Sequence, residues 1–291
     1  MDLSKKSKRE KQLPNFIIFL VEGQSDQIAL ENPLSELIFG INPDYEVRFL
    51  LQQRPISKSG NEVNDRDDND DDSNNVKYEY GGDITASYYV EPKNIENKIT
   101  RRFITPATKM EGLYPKQIAK IIQIVDIDGA YLTDDRIIKP KHEHNDIDKT
   151  YYNEINGVIE TWDIDSIIDR NDRKRKNIDY LLTLSKEGIK IKTKKIPYEI
   201  YFFSSNLDHV INHNPNIEEK KNYYAGEFLR KYGLDLKKYC DYFFSDPSSI
   251  GYMGYEESWL EVKKGINSIK RLTNIDCLIR KLMNNDLLMD L

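Results

Sequence analysis

The fold is indicated first by NFIIFLVEG at residues 15–23, an unbroken apolar run that ends in an acid and a glycine. A continuous run of β-branched and aromatic side chains is typical of a strand buried on both faces of a parallel sheet. A segment with helical character follows from residue 25 to about residue 39, with Ser25 or Asp26 as its cap. Pro33 lies inside this segment, so we expect it to be divided into two short helices.

Three more apolar segments predict strands, and helical segments separate them. The strands are YEVRFLLQ at 45–52, KIIQIV at 120–125 and IPYEIYFF at 196–203. Helices are predicted at about 92–103, near 115–119, at 178–185 and at 207–211, with a helical pattern from about residue 218 onward. This alternation predicts an α/β fold, a short parallel sheet flanked by helices with a helical C-terminal region.

Composition divides the 291 residues into three parts. Residues 1–14 form a basic tail without the apolar core of a secretory signal, residues 15–215 form the α/β domain, and residues 216–291 form the helical region. A polar, largely acidic insert at about 55–78 is predicted to be a flexible surface loop. Two alternatives stay open for the helical region, which either packs on the core or forms an interface with another copy or a partner.

Charge and cysteine content limit the classes of function. The net charge of −6 does not indicate a nucleic-acid binder, although a local excess of Lys and Arg can still make one. The two cysteines form no CxxC pair, which excludes a cysteine-based zinc ribbon. The longest apolar run, residues 16–21, is too short to span a bilayer, so we expect a cytoplasmic protein.

Acidic side chains follow three of the predicted strands. Glu22 follows the first, Asp126 and Asp128 follow the strand at 120–125, and Asp208 lies just after the strand at 196–203. Parallel strands bring their carboxyl ends to one edge of a sheet, where ligands bind in open α/β folds. Carboxylates that converge there repel one another unless a hard cation such as Mg²⁺ neutralises them. The spacing of two places Asp126 and Asp128 on the same side of an extended segment.

Each of these signals also has a purely structural interpretation. Glu-Gly after a strand is common, Asp-x-Asp-Gly also occurs in ordinary turns and Ca²⁺-binding loops, and Asp208 is placed where a helix cap belongs. The sequence Gly81-Gly82-Asp83 is either a loop that reaches the acidic edge or a plain turn, and we favour the turn. His209 and His213 have the i, i+4 spacing that suits zinc on a helix, and His142-Glu143-His144 adds two more histidines, but partly solvated histidines are the preferred interpretation.

The arrangement of acids resembles the Toprim domain of topoisomerases, primases and overcoming-lysogenization-defect nucleases. The resemblance rests on a hydrophobic strand before Glu22-Gly23-x-x-Asp26, and on a second one before Asp126-x-Asp128-Gly129. It covers roughly residues 15–215. The sequence has no GxxxxGK[ST] segment, so the fused P-loop ATPase of the latter nucleases is absent. The chain then resembles small effector nucleases of phage defence that act beside a separate ATPase.

This resemblance implies a Mg²⁺- or Mn²⁺-dependent endonuclease that hydrolyses DNA or RNA. It assigns catalysis to Glu22, Asp126 and Asp128, and adds Asp26 and Asp208 as further metal ligands. Phosphate contacts are expected from basic residues near the acidic edge, and the candidates are Arg173, Lys174, Arg175, Lys194 and Lys195. The run at 170–176 is better explained as a solvated helix face than as a nucleic-acid clamp.

Two other functions compete with the nuclease. A catalytically silent Toprim-like subunit would bind a partner protein or nucleic acid, and a Toprim-type primase would transfer nucleotides. A retired site has no need to keep three costly carboxylates together, which disfavours the silent subunit. The lack of a zinc ribbon and of a helicase segment disfavours the primase.

Overall fold

Eleven strands occur in the part of the chain that the structure describes. The structure is a computed structural model, and it describes residues 15–64, 77–140 and 149–286. The strands are β1 (Asn15–Val21), β2 (Tyr45–Leu51), β3 (Gln53–Ile56), β4 (Lys77–Tyr80), β5 (Ile118–Asp126), β6 (Ile137–Ile138), β7 (Tyr151–Asn153), β8 (Val158–Glu160), β9 (Ile189–Ile191), β10 (Lys194–Ile196) and β11 (Tyr198–Phe203).

Nine α-helices lie between and after these strands within the same described ranges. They are α1 (Gln24–Ile41), α2 (Ile95–Ile99), α3 (Thr105–Glu111), α4 (Ile164–Glu187), α5 (Leu207–Asn212), α6 (Lys221–Phe228), α7 (Leu236–Ser245), α8 (Tyr255–Val262) and α9 (Ile275–Met283). A π-helical turn joins α2 to α3, and another lies between α6 and α7.

A four-stranded parallel sheet forms the centre of the fold, in the order β11-β5-β1-β2. The register places Val21 of β1 beside Leu51 of β2, and Phe203 of β11 beside Asp126 of β5. All four strands therefore end at the same edge. The strand order reverses between β1 and β5, because β2 lies on one side of β1 whereas the later strands lie on the other. In open α/β sheets the crevice at such a reversal is where ligands bind.

The sheet separates two hydrophobic cores. Alternate residues of a strand point to opposite faces. Leu20 and Leu50 belong to the α4-side core, which includes Ile178 and Leu181 of α4. The core on the other face, the α1-side core, contains the strand residues that alternate with these. They pack against α1, α5, α6, α7 and α9. Burial on both faces explains why β1 is apolar at every position from residue 16 to residue 21.

Two helices are longer than the sequence suggested. We expected Pro33 to divide the first helical segment, but α1 is one helix of 18 residues with Pro33 inside it. The buried side chains of Leu30, Leu34 and Ile38 hold both halves of α1 against the sheet, and this packing outweighs the backbone hydrogen bond that a proline forfeits. Helix α4 has 24 residues, whereas only 178–185 was predicted as a distinct helix.

The helical C-terminal region packs on the core, which was one of its two predicted placements. Leu278 and Leu282 of α9 are fully buried in the α1-side core, and Thr273 bridges to Phe203 at the end of β11. Of the predicted insert, residues 65–76 lie outside the described residues, whereas its two ends belong to the antiparallel pair β3 and β4, so the prediction of a flexible loop was wrong for residues 55–56 and 77–78. The basic tail at 1–14 also lies outside them. No helix among the described residues is long and apolar enough to cross a membrane.

Candidate metal centre

Three carboxyl groups converge at the strand reversal, and one of them was not predicted. Ligand oxygens of Glu22, Asp83 and Asp128 all lie within 4.8 Å of one another. Glu22 follows β1 directly, and Asp128 comes two residues after the end of β5. We call this group the α4-side acids, since Lys174 of α4 contacts two of the three members.

Asp83 reaches this group because the chain returns to the sheet edge after the insert. Gly81 and Gly82 both have φ of 93°, a conformation that L side chains rarely adopt. The N–H of Gly81 donates to the carbonyl of Gln52 at 2.9 Å, and the N–H of Gly82 donates to that of Glu22 at 2.7 Å. These two bonds place Asp83 across the ends of β2 and β1. The interpretation of Gly81-Gly82-Asp83 as a plain turn was therefore wrong.

Asp128 departs from the extended geometry that the Asp-x-Asp spacing suggested. Its φ is 52°, in the left-handed region, so the segment turns at this residue. Its N–H donates to the carbonyl of Ser205 at 3.1 Å, which ties the turn to the chain that follows β11. The expectation that Asp126 and Asp128 share one side of an extended strand was wrong, and the turn carries Asp128 toward α4 instead.

Basic and phenolic groups surround Asp128. The Lys174 side chain is fully buried, and its Nζ lies 2.6 Å from Asp128 Oδ2 and 2.7 Å from Asp83 Oδ2. Arg170 donates from Nη2 to the carbonyl of Asp128 at 3.0 Å, and the Tyr152 hydroxyl donates to Asp128 Oδ1 at 3.2 Å. Lys174 was expected to contact phosphate, but the structure places it inside the acidic group.

Burial and mutual repulsion set the charges of this group. Burial and then the charge of Asp83 raise the pKa of Glu22 well above its usual value. Burial would also raise the pKa of Asp128, but Lys174 and Arg170 lower it overall. Burial would lower the pKa of Lys174, whereas the facing carboxylates of Asp128, Asp83 and Glu22 raise it. Lys174 and Asp128 are therefore a charged pair, and Glu22 is more easily protonated than Asp128.

Asp26, Asp126 and Asp208 form a second group, the α1-side acids. Asp126 lies two residues after Ile124 of the α1-side core, so strand alternation directs it to that face. Burial, and then the nearby Asp26, raise the pKa of Asp126 well above its usual value. Burial raises the pKa of Asp26 to about 6, although a hydrogen bond from the Gly23 N–H opposes the shift. Lys221 Nζ lies 3.6 Å from Asp208 Oδ2 as the counter-charge.

The structure thus divides the five predicted metal ligands between two faces of the sheet. Glu22 and Asp128 stand on the α4 side, whereas Asp26, Asp126 and Asp208 stand on the α1 side. The α4-side and α1-side acids are linked by a hydrogen bond, in which the Asp126 N–H donates to Glu22 Oε1 at 2.9 Å. Asp26 also has a structural role, since its Oδ2 accepts a hydrogen bond from the Gly23 N–H at the start of α1 at 2.8 Å. Asp208 is not the cap of α5, because the Asn206 side chain accepts from the His209 N–H there.

Besides Lys174, two of the predicted phosphate-binding residues lie on α4. Arg173 Nε donates to the carbonyl of Ala86, and its guanidinium lies 5.2 Å from the ring centre of Tyr88. The Tyr88 side chain is 68% exposed, so this stacked pair faces solvent a few residues after Asp83. Arg175 pairs with Asp172 on the same helix at 3.3 Å.

The other two predicted phosphate-binding residues lie at the opposite edge of the sheet. Lys194 Nζ donates to the carbonyl of Ile118 at 2.7 Å, at the first residue of β5, and Lys195 is its neighbour in β10. Asp126 is the last residue of that nine-residue strand. At about 3.3 Å per residue, the strand separates the two ends by more than 20 Å. The expectation that Lys194 and Lys195 lie at the acidic edge was therefore wrong.

The histidines do not form a metal group within the described residues. His209 is buried beside Glu154, with Nε2 at 3.1 Å from Oε2, and burial lowers the pKa of its imidazole. His213 ends α5 in a left-handed conformation with φ of 59°. His142 and His144 lie outside the described residues.

Comparison of this chain with protein-family models, with curated proteins and with solved structures finds no match.

Proposed function

We propose that this protein is a Mg²⁺- or Mn²⁺-dependent nuclease that hydrolyses phosphodiester bonds of DNA or RNA. The observation that carries the proposal is the convergence of Glu22, Asp83 and Asp128, whose ligand oxygens lie within 4.8 Å of one another at the strand reversal. Carboxylate oxygens are the ligands that hard divalent cations prefer.

The spacing of these oxygens suits a small cation. Mg²⁺ holds oxygen ligands at about 2.1 Å, so two ligands on opposite sides of the ion lie about 4.2 Å apart. Side-chain movements of a few tenths of an ångström would bring all three acids into that range. The raised pKa of Glu22 points in the same direction, because a cation would offset the repulsion from Asp83.

The acids of the centre have different roles in hydrolysis. A bound divalent cation supplies a Lewis acid that orients water and stabilises charge on the phosphate and the leaving oxygen. Asp83 and Asp128 act as ligands. Glu22, whose pKa burial raises well above its usual value, is either a third ligand or the base that takes a proton from the attacking water. Asp126 stands beside it and fixes it through the backbone hydrogen bond to Oε1.

Arg173 and Tyr88 provide a contact for the nucleic acid. An exposed ring offers a face on which a base can stack, and the guanidinium beside it can pair with a phosphate. Both lie next to the segment that carries Asp83. On this proposal the chain is Toprim-like, and it acts as an effector of phage defence together with a separate ATPase.

The test is cleavage by the purified full chain. Plasmid, single-stranded DNA and total tRNA are incubated with Mg²⁺, Mn²⁺ or EDTA, beside the variants Glu22→Gln, Asp83→Asn and Asp128→Asn. The matched control is Asp135→Asn, which removes an exposed carboxylate from the same chain segment as Asp128. Partners of metal ligands contribute roughly 10- to 100-fold to activity, so loss of a ligand is expected to cost at least that much.

The expected result is cleavage that EDTA abolishes, that the three site variants lose and that the control retains. Activity that survives in Glu22→Gln and Asp128→Asn would refute the proposed centre. The Asp83→Asn variant distinguishes this centre from a site built only on the acids predicted from the sequence. In such a site Asp83 has no role, and the variant would stay active.

One observation favours the catalytically silent subunit as a second candidate. Lys174 already pairs with Asp83 and Asp128, so part of the charge is balanced by the chain itself. A silent subunit would show neither cleavage nor heat of cation binding in calorimetry, while it still binds a nucleic acid or a protein. Cation binding without cleavage would instead indicate that a partner or activator is required.

A further inference from the structure

Lys174 is held among the α4-side acids by the packing of its helix. Two asparagines on the same helix face flank it at spacings of three. Asn171 donates to the carbonyl of the residue after Asp128 at 3.3 Å, and Asn177 donates to that of the second residue after Asp83 at 2.8 Å. Both asparagines and Lys174 are buried. The helix is therefore fixed against the two loops that carry the acids, and the ammonium has a defined position between them.

The ammonium uses the same oxygens that a cation would need. Its distances of 2.6 Å to Asp128 Oδ2 and 2.7 Å to Asp83 Oδ2 are those of direct ion pairs. A divalent cation bound to those oxygens would stand within contact distance of a positive charge that is shielded from water. Repulsion between two buried like charges is strong, so the two cannot share these oxygens.

A second observation, at Gln52, points to a ligand beside the α4-side acids. The Gln52 side chain is fully buried, and neither its Oε1 nor its Nε2 has a hydrogen-bond partner. Gln52 follows β2 as Glu22 follows β1, and continuing the register from Val21 and Leu51 places the two side by side. Gln52 Nε2 also lies 3.2 Å from the position that a Cβ on Gly82 would take, beside Asp83. A buried amide without a partner at this place indicates a ligand or water that completes the site.

We propose that Lys174 is the built-in counter-cation of the α4-side acids and that a divalent cation binds them by displacing its ammonium. This inference rests on the proposed metal centre. It makes Lys174 a positioning residue that sets how tightly the cation binds. The protein without metal is stabilised by the lysine, and the protein with metal has the lysine turned away from Asp128 and Asp83.

Removing the positive charge should therefore strengthen cation binding. Lys174→Met keeps most of the length and apolar character of the side chain but leaves three acids without their counter-cation. Charge at the ligands tunes cation affinity over orders of magnitude, so we expect the variant to bind Mn²⁺ about tenfold tighter or more. The control is Lys176→Met, which removes an exposed lysine paired with Asp172 on the same helix.

Isothermal titration calorimetry with MnCl₂ on the full chain measures this difference directly. Tighter binding by Lys174→Met than by the unaltered protein and Lys176→Met would support the proposal. Equal or weaker binding by Lys174→Met, or no binding by any of the three, would overturn it.

A measurement on the unaltered protein covers the case in which Lys174→Met does not fold. The buried ammonium should give a slowly exchanging NMR signal, which is assigned with Lys174→Arg. Saturating Mg²⁺ is expected to shift or remove that signal, and an unchanged signal would overturn the proposal. Displacement without any nuclease activity would leave the inference standing, while the proposed function would fail for this chain acting on its own. Metal-dependent cleavage without displacement of the ammonium would support the proposed function and overturn the inference about Lys174.

Discussion

Substitution of Gly129 by alanine is predicted to destabilise the protein through two separable effects. Gly129 directly follows Asp128 and has φ of 74°. An added Cβ would lie 2.6 Å from Ile269 Cγ2 and 2.7 Å from Ile159 Cδ1, and both isoleucines are fully buried. The left-handed backbone costs an alanine about 1–2 kcal/mol, and overpacking of a core adds about 1–3 kcal/mol. The free energy of unfolding should fall by about 2–5 kcal/mol.

Gly112→Ala is the matched control, because it carries the backbone effect alone. Gly112 has φ of 70°, and nothing lies within 4 Å of its Cβ position. Its free energy of unfolding should fall by only the left-handed contribution, about 1–2 kcal/mol. Urea unfolding of the two variants, followed by the fluorescence of the buried Trp259, measures the difference. Equal losses in both variants would refute the packing of the Asp128 turn against the two isoleucines.

Three further predictions concern the core, the opposite edge of the sheet and the metal. Trp259→Ala should lower the free energy of unfolding by about 3–5 kcal/mol in urea, because the indole is 3% exposed and packs edge-on against Phe202 with ring centres 4.7 Å apart. Glu199→Gln should cost about 3 kcal/mol at pH 7, since it removes the charge of the carboxylate that lies 2.7 Å from the buried Lys120 ammonium. Burial would raise the pKa of Glu199, but Lys120 and Lys281 lower it overall. The stability that the ionised Glu199 contributes is therefore fully present above the unfolded-state pKa, and it is lost as the pH falls through the lower folded-state pKa. The stability difference between Glu199→Gln and the unaltered protein should therefore shrink in acid, and a difference independent of pH would contradict the assignment. Mg²⁺ should raise the melting temperature of the unaltered protein, EDTA should reverse the rise, and an equal rise in Glu22→Gln would place the cation elsewhere.

The predictable part of the fold is the part with strong local signals. The four apolar segments became the parallel sheet, since a run such as residues 16–21 has no polar side to expose to water. Helix α1 is one continuous helix and not the two short helices that were predicted, because tertiary packing outweighed the local effect of Pro33. The full length of α4 was also missed. Much of its sequence is charged, and its stability depends on a few buried positions that meet the sheet.

The group of Glu22, Asp83 and Asp128 was predictable only where an acid lies within two residues of the end of a strand. Glu22 and Asp128 meet because parallel neighbours end at the same edge, a consequence of topology that the order of strands in the chain already suggests. Asp83 was missed because it arrives through a loop. Its one local signal was Gly81-Gly82, a pair that permits the tight backbone path across the ends of two strands.

The sequence by itself determined the α/β class and the acidic edge, and it named Glu22 and Asp128 as central acids together with Asp126. Only the tertiary structure decided which acids share a face of the sheet and which basic residues lie near them. Lys194 and Lys174 show the difference, because the sequence predicted both to contact phosphate. Lys194 instead donates to the backbone at the start of β5, and Lys174 is buried between two carboxylates. The physical reason is that a charge is stabilised by neighbours distant in the chain, and those neighbours exist only once the helices have packed.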